Sequence, residues 1–251
     1  MVEILVLSLI QGITEFLPVS SSSHLIVYSE ISDFSFSSLT IDVSLHIGSF
    51  FAVLTYFRND ILKFIYNKKL FLIIFIASLP IIITGYLLTQ LDIINNLRSI
   101  KIIGWTTIIF AIFLYIVDKK EKKLDINENL NIKNGLFIGI VHVFSLIPGV
   151  SRSGIAITAG RYLGFDRVDS AKISYLLSIP VLTAVSFYGI YKNIYVSDTM
   201  LSQLSFSGIL LSFIFSYITI KYFLIYIKNF SMNLFVYYRI LLGIFILFYA
   251  Y

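Results

Sequence analysis

The sequence predicts an all-α membrane protein: a polytopic helical bundle of six transmembrane spans plus two re-entrant helical hairpins in an inverted repeat. Three observations carry this. The 251 residues are 58% hydrophobic and only 13% charged, with mean hydropathy +0.90, far from the balance of a soluble domain. Repeated apolar runs approach the ~20 residues that cross ~30 Å of hydrocarbon, each bounded by charged or Asn/Ser-rich breaks, which favours helices over a β-barrel. Two further apolar stretches dissolve midway into proline, serine and glycine.

Six continuous runs read as spans: Leu39 to Phe57, Leu70 to Leu91, Ile100 to Val117, Ile173 to Tyr191, Phe206 to Ile227 and Leu234 to Tyr251. Arg58, Lys63, Lys68 and Lys69 fill one loop, and Lys119, Lys120, Lys122, Lys123 and Lys133 another. Excess Lys and Arg mark cytoplasmic loops, and two spans between these loops return the chain to the same side. The stretches Val2 to Val27 and Gly135 to Leu163 do not read as clean spans. If the second is re-entrant, Arg161, Arg167 and Lys172 also stay cytoplasmic, and the first then dips in from the outer face.

The two irregular stretches are alike. Phe16-Leu17-Pro18-Val19-Ser20-Ser21-Ser22 stands beside Leu146-Ile147-Pro148-Gly149-Val150-Ser151-Arg152-Ser153, with Pro18 and Pro148 130 positions apart. Opposed halves, each a broken hairpin followed by three spans, form the architecture in which discontinuous helices meet near the bilayer midplane. The expectation is one membrane domain over residues 1–251, with pseudo-repeats at about 1–117 and 134–251 joined by a basic cytoplasmic loop, 118–133.

Composition excludes several functions. Without cysteine there is no disulfide, thiolate metal site or cysteine nucleophile. The start, MVEILVLSLIQG, lacks the basic n-region and cleavage site of a signal peptide, so it reads as mature chain. The net charge of +5 lies largely in short loops, where topology accounts for it and no nucleic-acid partner is implied. Trp105 and the Tyr-rich span ends read as interface anchors.

Broken backbone at membrane depth is tolerated only where protein or a water-filled cavity satisfies it, so Pro18 and Pro148 predict a wet pocket. Amides at the flanking helix ends suit an anion there. The titratable groups near the breaks are Glu15, His24 and Arg152, with Asp42, His46 and His142 in adjoining apolar sequence. Each charge at the bilayer centre costs on the order of 2.5–3.5 kcal/mol even on a lenient scale, so each demands a partner or a function. A Glu15–Arg152 ion pair that merely fastens the halves is the plain alternative.

Gln11 and Glu15, four apart, share a helix face toward Pro18. Their oxygens suit a hard divalent cation, Mg²⁺ or Ca²⁺, although Gln11 is equally suited to hydrogen-bonding Glu15 or the backbone. Arg152 offers a planar fork to a phosphate, with Gly149, Ser151 and Ser153 completing a cradle and Ser20 and Ser22 either adding to it from the first break or capping backbone there. Ser21 and His24 would supply nucleophile and base, or His24 itself the attacking or proton-donating group. Asp42 and His46, again four apart, would line the pocket from behind or equally serve helix packing, while His142 reads as structural.

The two motifs, QGITEFLPVSSSSHL and LIPGVSRSGIAIT, together resemble the undecaprenyl-diphosphate phosphatase family of bacterial inner-membrane enzymes associated with bacitracin resistance. The resemblance covers nearly the whole chain in length, span order and spacing. It implies an often dimeric inverted-repeat protein that removes the terminal phosphate of a C55 polyprenyl diphosphate, recycling the carrier for cell-wall synthesis. It places the acid or amide and Glu pair on Gln11 and Glu15, the Ser and His on Ser21 and His24, and phosphate binding on Ser151, Arg152 and Ser153. Two departures stand out: Gln11 where some members carry Glu, and Ala156 where the second motif usually has Thr, with Thr158 two residues later. The nucleophile stays open between Ser21, His24 and water. A polyprenyl-lipid transporter using the same pocket is the rival, because broken helices in inverted repeats also serve transport.

Overall fold

The computed structural model describes residues 2–31, 39–66, 68–91, 93, 97–120, 124–193 and 199–251, and it is helical throughout, with one isolated β-bridge between Leu124 and Phe165. Lys122 and Lys123 of the expected basic loop lie outside the described residues. In order, α1 is Val2–Thr14, α2 Ser21–Ile31, α3 Leu39–Tyr56, α4 Arg58–Tyr66, α5 Lys68–Gln90 and α6 Ile100–Asp118. After a single turn at Ile126–Asn129 come α7 Ile132–His142, a 3₁₀ turn Val143–Leu146, α8 Arg152–Leu163, α9 Arg167–Asn193, α10 Thr199–Asn229 and α11 Asn233–Ala250.

Five helices (α5, α6, α9, α10 and α11) are long and apolar enough to cross a membrane. With Phe71, Phe187, Leu241 and Phe248 among many large apolar side chains on the outside, the chain is a multi-pass helical membrane protein. The sixth expected span falls on α3, whose 18 residues, as many as those of α11, reach about 27 Å at 1.5 Å per residue; after Phe57 the chain continues into α4.

Both irregular stretches are helix–break–helix. The first runs α1, then 15–20, then α2; the second runs α7, the 3₁₀ turn, 147–151, then α8. The breaks share one backbone feature: Ser20 and Ser151 both sit at φ 72°, and among the described residues no other non-glycine residue has positive φ. Such a conformation costs about 1–2 kcal/mol for a residue with a Cβ, and it turns the chain sharply into the following helix.

Packing follows small residues. A Cβ on Gly139 of α7 would sit 2.0 Å from the Ala77 carbonyl of α5, and one on Gly12 of α1 2.4 Å from Phe215 Cβ of α10, so these helices touch backbone to backbone. The pairings mirror each other: α1 lies on α10 as α7 lies on α5, and α3 lies on α10 as α9 lies on α5, while α3–α9 and α6–α11 contact across the middle. That exchange is what two opposed copies of one unit would produce.

One end of the bundle is fastened by a buried carboxylate. Asp118, at the end of α6, accepts from Arg167 Nε at 2.7 Å and Nη2 at 3.0 Å, and from the Met232 amide at 3.0 Å. Arg161 beside it donates to the carbonyls of Phe165, Asp118 and Lys120 at 2.8, 3.0 and 2.6 Å. The start of α9, the end of α8 and the entry to α11 are thereby tied to α6.

Candidate active site

The two breaks meet. Ser153 at the start of α8 donates to the Leu17 carbonyl of the first break at 2.7 Å, and Tyr175 of α9 donates to the Phe16 carbonyl at 3.0 Å. Carbonyls freed by the proline interruptions therefore find donors from other elements, as buried polar backbone must. Thr106 of α6 does the same for Pro148, at 2.7 Å.

Glu15 occupies the centre, with 5% of its surface exposed. One carboxylate oxygen, Oε1, is ion-paired with Arg152 Nη2. The other, Oε2, accepts from Ser21 Oγ at 2.7 Å and from Gln11 Nε2 at 3.0 Å. Gln11 is fully buried, and its Nε2 also stands 2.9 Å from His46 Nδ1. An amide N–H only donates, so His46 accepts at Nδ1 and carries its proton on Nε2. Asp42, one turn earlier on α3, is half-buried, with no hydrogen bond to the cluster among the described residues.

His24 is held from two sides. Its Nδ1 lies 2.7 Å from the Ser20 carbonyl, its Nε2 lies 2.6 Å from Tyr238 Oη, and the two rings are parallel with centroids 5.7 Å apart. A carbonyl only accepts, so Nδ1 carries the proton and Nε2 accepts from the tyrosine. Ser21 therefore hydrogen-bonds Glu15 and not His24. Ser20 Oγ accepts from Ser23 at 2.9 Å and contacts Ser22 Oγ at 3.2 Å, with Ser22 exposed.

In the second break Ser151 caps α8 by accepting from the Gly154 amide at 3.1 Å, and its hydroxyl lies 3.3 Å from that of Ser153. Gly149 has φ 94°, and a Cβ there would fall 2.0 Å from Thr106 Oγ1. Thr158 donates to its own helix at Gly154 O, 2.7 Å away, so its hydroxyl does not replace the one absent at Ala156.

Two side chains of α11 complete the surroundings. Tyr238 orients His24. Arg239, fully buried, donates to Gly149 O at 2.9 Å, Val150 O at 3.0 Å and Pro18 O at 3.4 Å. Sequence reasoning passed over both, although Arg239 is the lone charge in the apolar run Leu234 to Tyr251, itself a sign of function in a membrane span.

A resident cation was expected at Gln11 and Glu15. Among the described residues no three His, Asp or Glu side chains gather as a metal cluster. The fit is narrower: Gln11 turns its Nε2 to the carboxylate, and its Oε1 is buried without a hydrogen-bond partner, a hard oxygen available to a cation that draws its other ligands elsewhere.

Residues 4–245 match the family of the bacitracin resistance protein BacA. The chain belongs to the BacA family. It is similar to the undecaprenyl-diphosphatase of Pelagibacter ubique, with 48% identity over 244 residues covering 97% of this chain and 95% of that protein. Proteins of the same description from Saccharophagus degradans and Teredinibacter turnerae are 40% and 39% identical, the first covering 94% of this chain and 93% of its own length, the second 97% of each. The BacA match spans both breaks and every helix from α1 to α11, so the cluster around Glu15 lies wholly within the family's extent.

Proposed function

We propose that this protein hydrolyses undecaprenyl diphosphate to undecaprenyl phosphate and inorganic phosphate in the bacterial inner membrane, recycling the lipid carrier and conferring bacitracin resistance. The observation that carries the reading is Glu15 shared between a serine hydroxyl and an arginine: one carboxylate joins a nucleophile to a phosphate-binding cation. The relatives' printed names favour hydrolysis over transport.

In the proposed reaction the polyprenyl tail stays among the helices and the diphosphate enters between the breaks. Arg152, the hydroxyls of Ser20, Ser22, Ser151 and Ser153, and the backbone at Gly149 and the start of α8 take the terminal phosphate. Arg152 exchanges part of its bond to Glu15 for the substrate, which leaves the carboxylate free to act as base. Ser21 Oγ attacks the terminal phosphorus and its proton passes to Glu15 Oε2. The bond from that phosphorus to the bridging oxygen breaks, and undecaprenyl phosphate departs with the electron pair. Water then cleaves the phosphoserine, giving inorganic phosphate, and Glu15 Oε2 returns its proton to the departing Ser21 Oγ. His24, its tautomer fixed by Ser20 and Tyr238, offers Nε2 to the proton of that water once Tyr238 swings aside.

Gln11 Oε1 and Glu15 would hold Mg²⁺ or Ca²⁺ against the diphosphate oxygens. When bound, the cation offsets the substrate's negative charge. His46 and Asp42 keep Gln11 turned so that its amide N–H groups face Glu15 and its oxygen stays available. The two opposed halves are proposed as pseudo-repeats at about 1–117 and 134–251 of a single domain, with the first break opening outward and a homodimer as the assembly.

The test is phosphate release from C55 polyprenyl diphosphate by detergent-purified protein, with and without EDTA. Release abolished by EDTA and restored by Mg²⁺ or Ca²⁺ is expected. A well-folded sample that binds the lipid but releases no phosphate would reject the hydrolase. Native mass spectrometry checks the dimer.

A further inference from the structure

We propose that Arg239 is a positioning residue of this site: its guanidinium grips the carbonyls of both breaks from behind, so that the amides following them face the phosphate. The inference rests on the hydrolase reading. Its starting point is a charge that makes no sense as packing. Arg239 is fully buried in a helix whose other residues are uncharged, and among the described residues it makes no ion pair with a carboxylate. A buried charge without a counter-charge is expensive, and its hydrogen bonds all go to backbone.

Those acceptors define what it does. Pro18 O belongs to the first break, Gly149 O and Val150 O to the second; Val150 directly precedes Ser151, and Pro18 and Gly149 each stand two positions before a residue at φ 72°. One planar fork thus spans both turns, which a lysine ammonium cannot do. In a trans peptide the C=O and the following N–H point in opposite directions, so drawing Val150 O toward Arg239 turns the Ser151 N–H away from it. Arg152 and Ser153, in the first turn of α8, also have amides without intrahelical acceptors. The fit is close: a Cβ on Gly154 would lie 3.1 Å from Arg239 Nη1 and 3.0 Å from Ser151 Oγ.

The charge matters as well as the shape. Glu15 and Arg152 offset one another, so the charge of Arg239, one peptide layer behind the cradle, is left to attract an incoming diphosphate.

Full-length protein in detergent is compared as wild type, R239K and R239M, by three measurements: kcat and KM for C55 polyprenyl diphosphate, Tm alone, and the rise in Tm produced by inorganic pyrophosphate. R239K is expected to fold and to lose about 100-fold in kcat, the scale of a lost preorganised donor. Its KM should rise no more than about ten-fold, because the polyprenyl tail still binds, whereas tail-less pyrophosphate should no longer raise Tm in either variant. A lower Tm with kcat within about three-fold of wild type and the pyrophosphate response intact would overturn the proposal, leaving Arg239 a packing residue. If R239M does not fold, R239K decides alone. Wild type that releases no phosphate would reject the hydrolase instead, and the pyrophosphate response would still judge the positioning role by itself.

Discussion

Glu15 performs two tasks that a purely structural ion pair does not need. The pair with Arg152 alone would fasten the halves, but Oε2 also receives the hydroxyl of Ser21 at 2.7 Å. Replacing Ser21 with alanine leaves that pair intact, so the account predicts a folded protein whose phosphate release falls by at least about 10³-fold, read as kcat beside an unchanged Tm. Tyr238→Phe removes the hydroxyl from His24 Nε2 and keeps the ring stacking. It should lower kcat about ten-fold at most, since it frees the imidazole's orientation without deleting it. At this scale the sequence exposed the groups that the structure brings together around Glu15, because charges and serines are conspicuous among apolar residues. It did not expose their wiring: Ser21 turns to Glu15 six positions earlier, and His24 turns to Tyr238 of α11, more than two hundred positions away in the chain.

The breaks are where sequence and element agree best. Proline followed by serine, twice, announced discontinuous helices, and both fall at a serine with φ 72°. What proline and serine spacing could not announce was the positive φ, because serine is not a residue that favours it. Nor could hydropathy show where α3 ends, since its apolar run continues through Phe57 while the helix stops at Tyr56. Gly149 combines φ 94° with contact to Thr106, so Gly149→Ala meets both strain of about 1–2 kcal/mol and overpacking of about 1–3 kcal/mol. The expected outcome is a lowered Tm and severe loss of activity. Adding Thr106→Ala should not recover the Tm, because the Ile103 carbonyl stays 2.7 Å from the new Cβ and Pro148 O loses its donor.

Over the whole molecule, stability and chemistry are separated. The Asp118 cluster joins α6, α8, α9 and the entry to α11 without touching the residues around Glu15. Asp118→Ala leaves two arginines uncompensated, a loss on the order of 3–5 kcal/mol when one partner of a buried pair is removed. A markedly lower Tm in detergent, with kcat per folded molecule near wild type, is the expected result. The exchange of pairings, α1 on α10 against α7 on α5, gives the bundle two matching arms, and the reacting residues gather where those arms break. Whether that junction is a reaction centre is decided by Glu15, which belongs to both arms through Ser21 and Arg152. The most direct measurement is kcat for phosphate release by Glu15→Gln beside wild type in the same detergent preparation, with equal Tm as the condition for comparison. The account predicts a fall of about 10³-fold or more, since the amide neither takes the Ser21 proton nor pairs with Arg152. Release within about three-fold of wild type would contradict it.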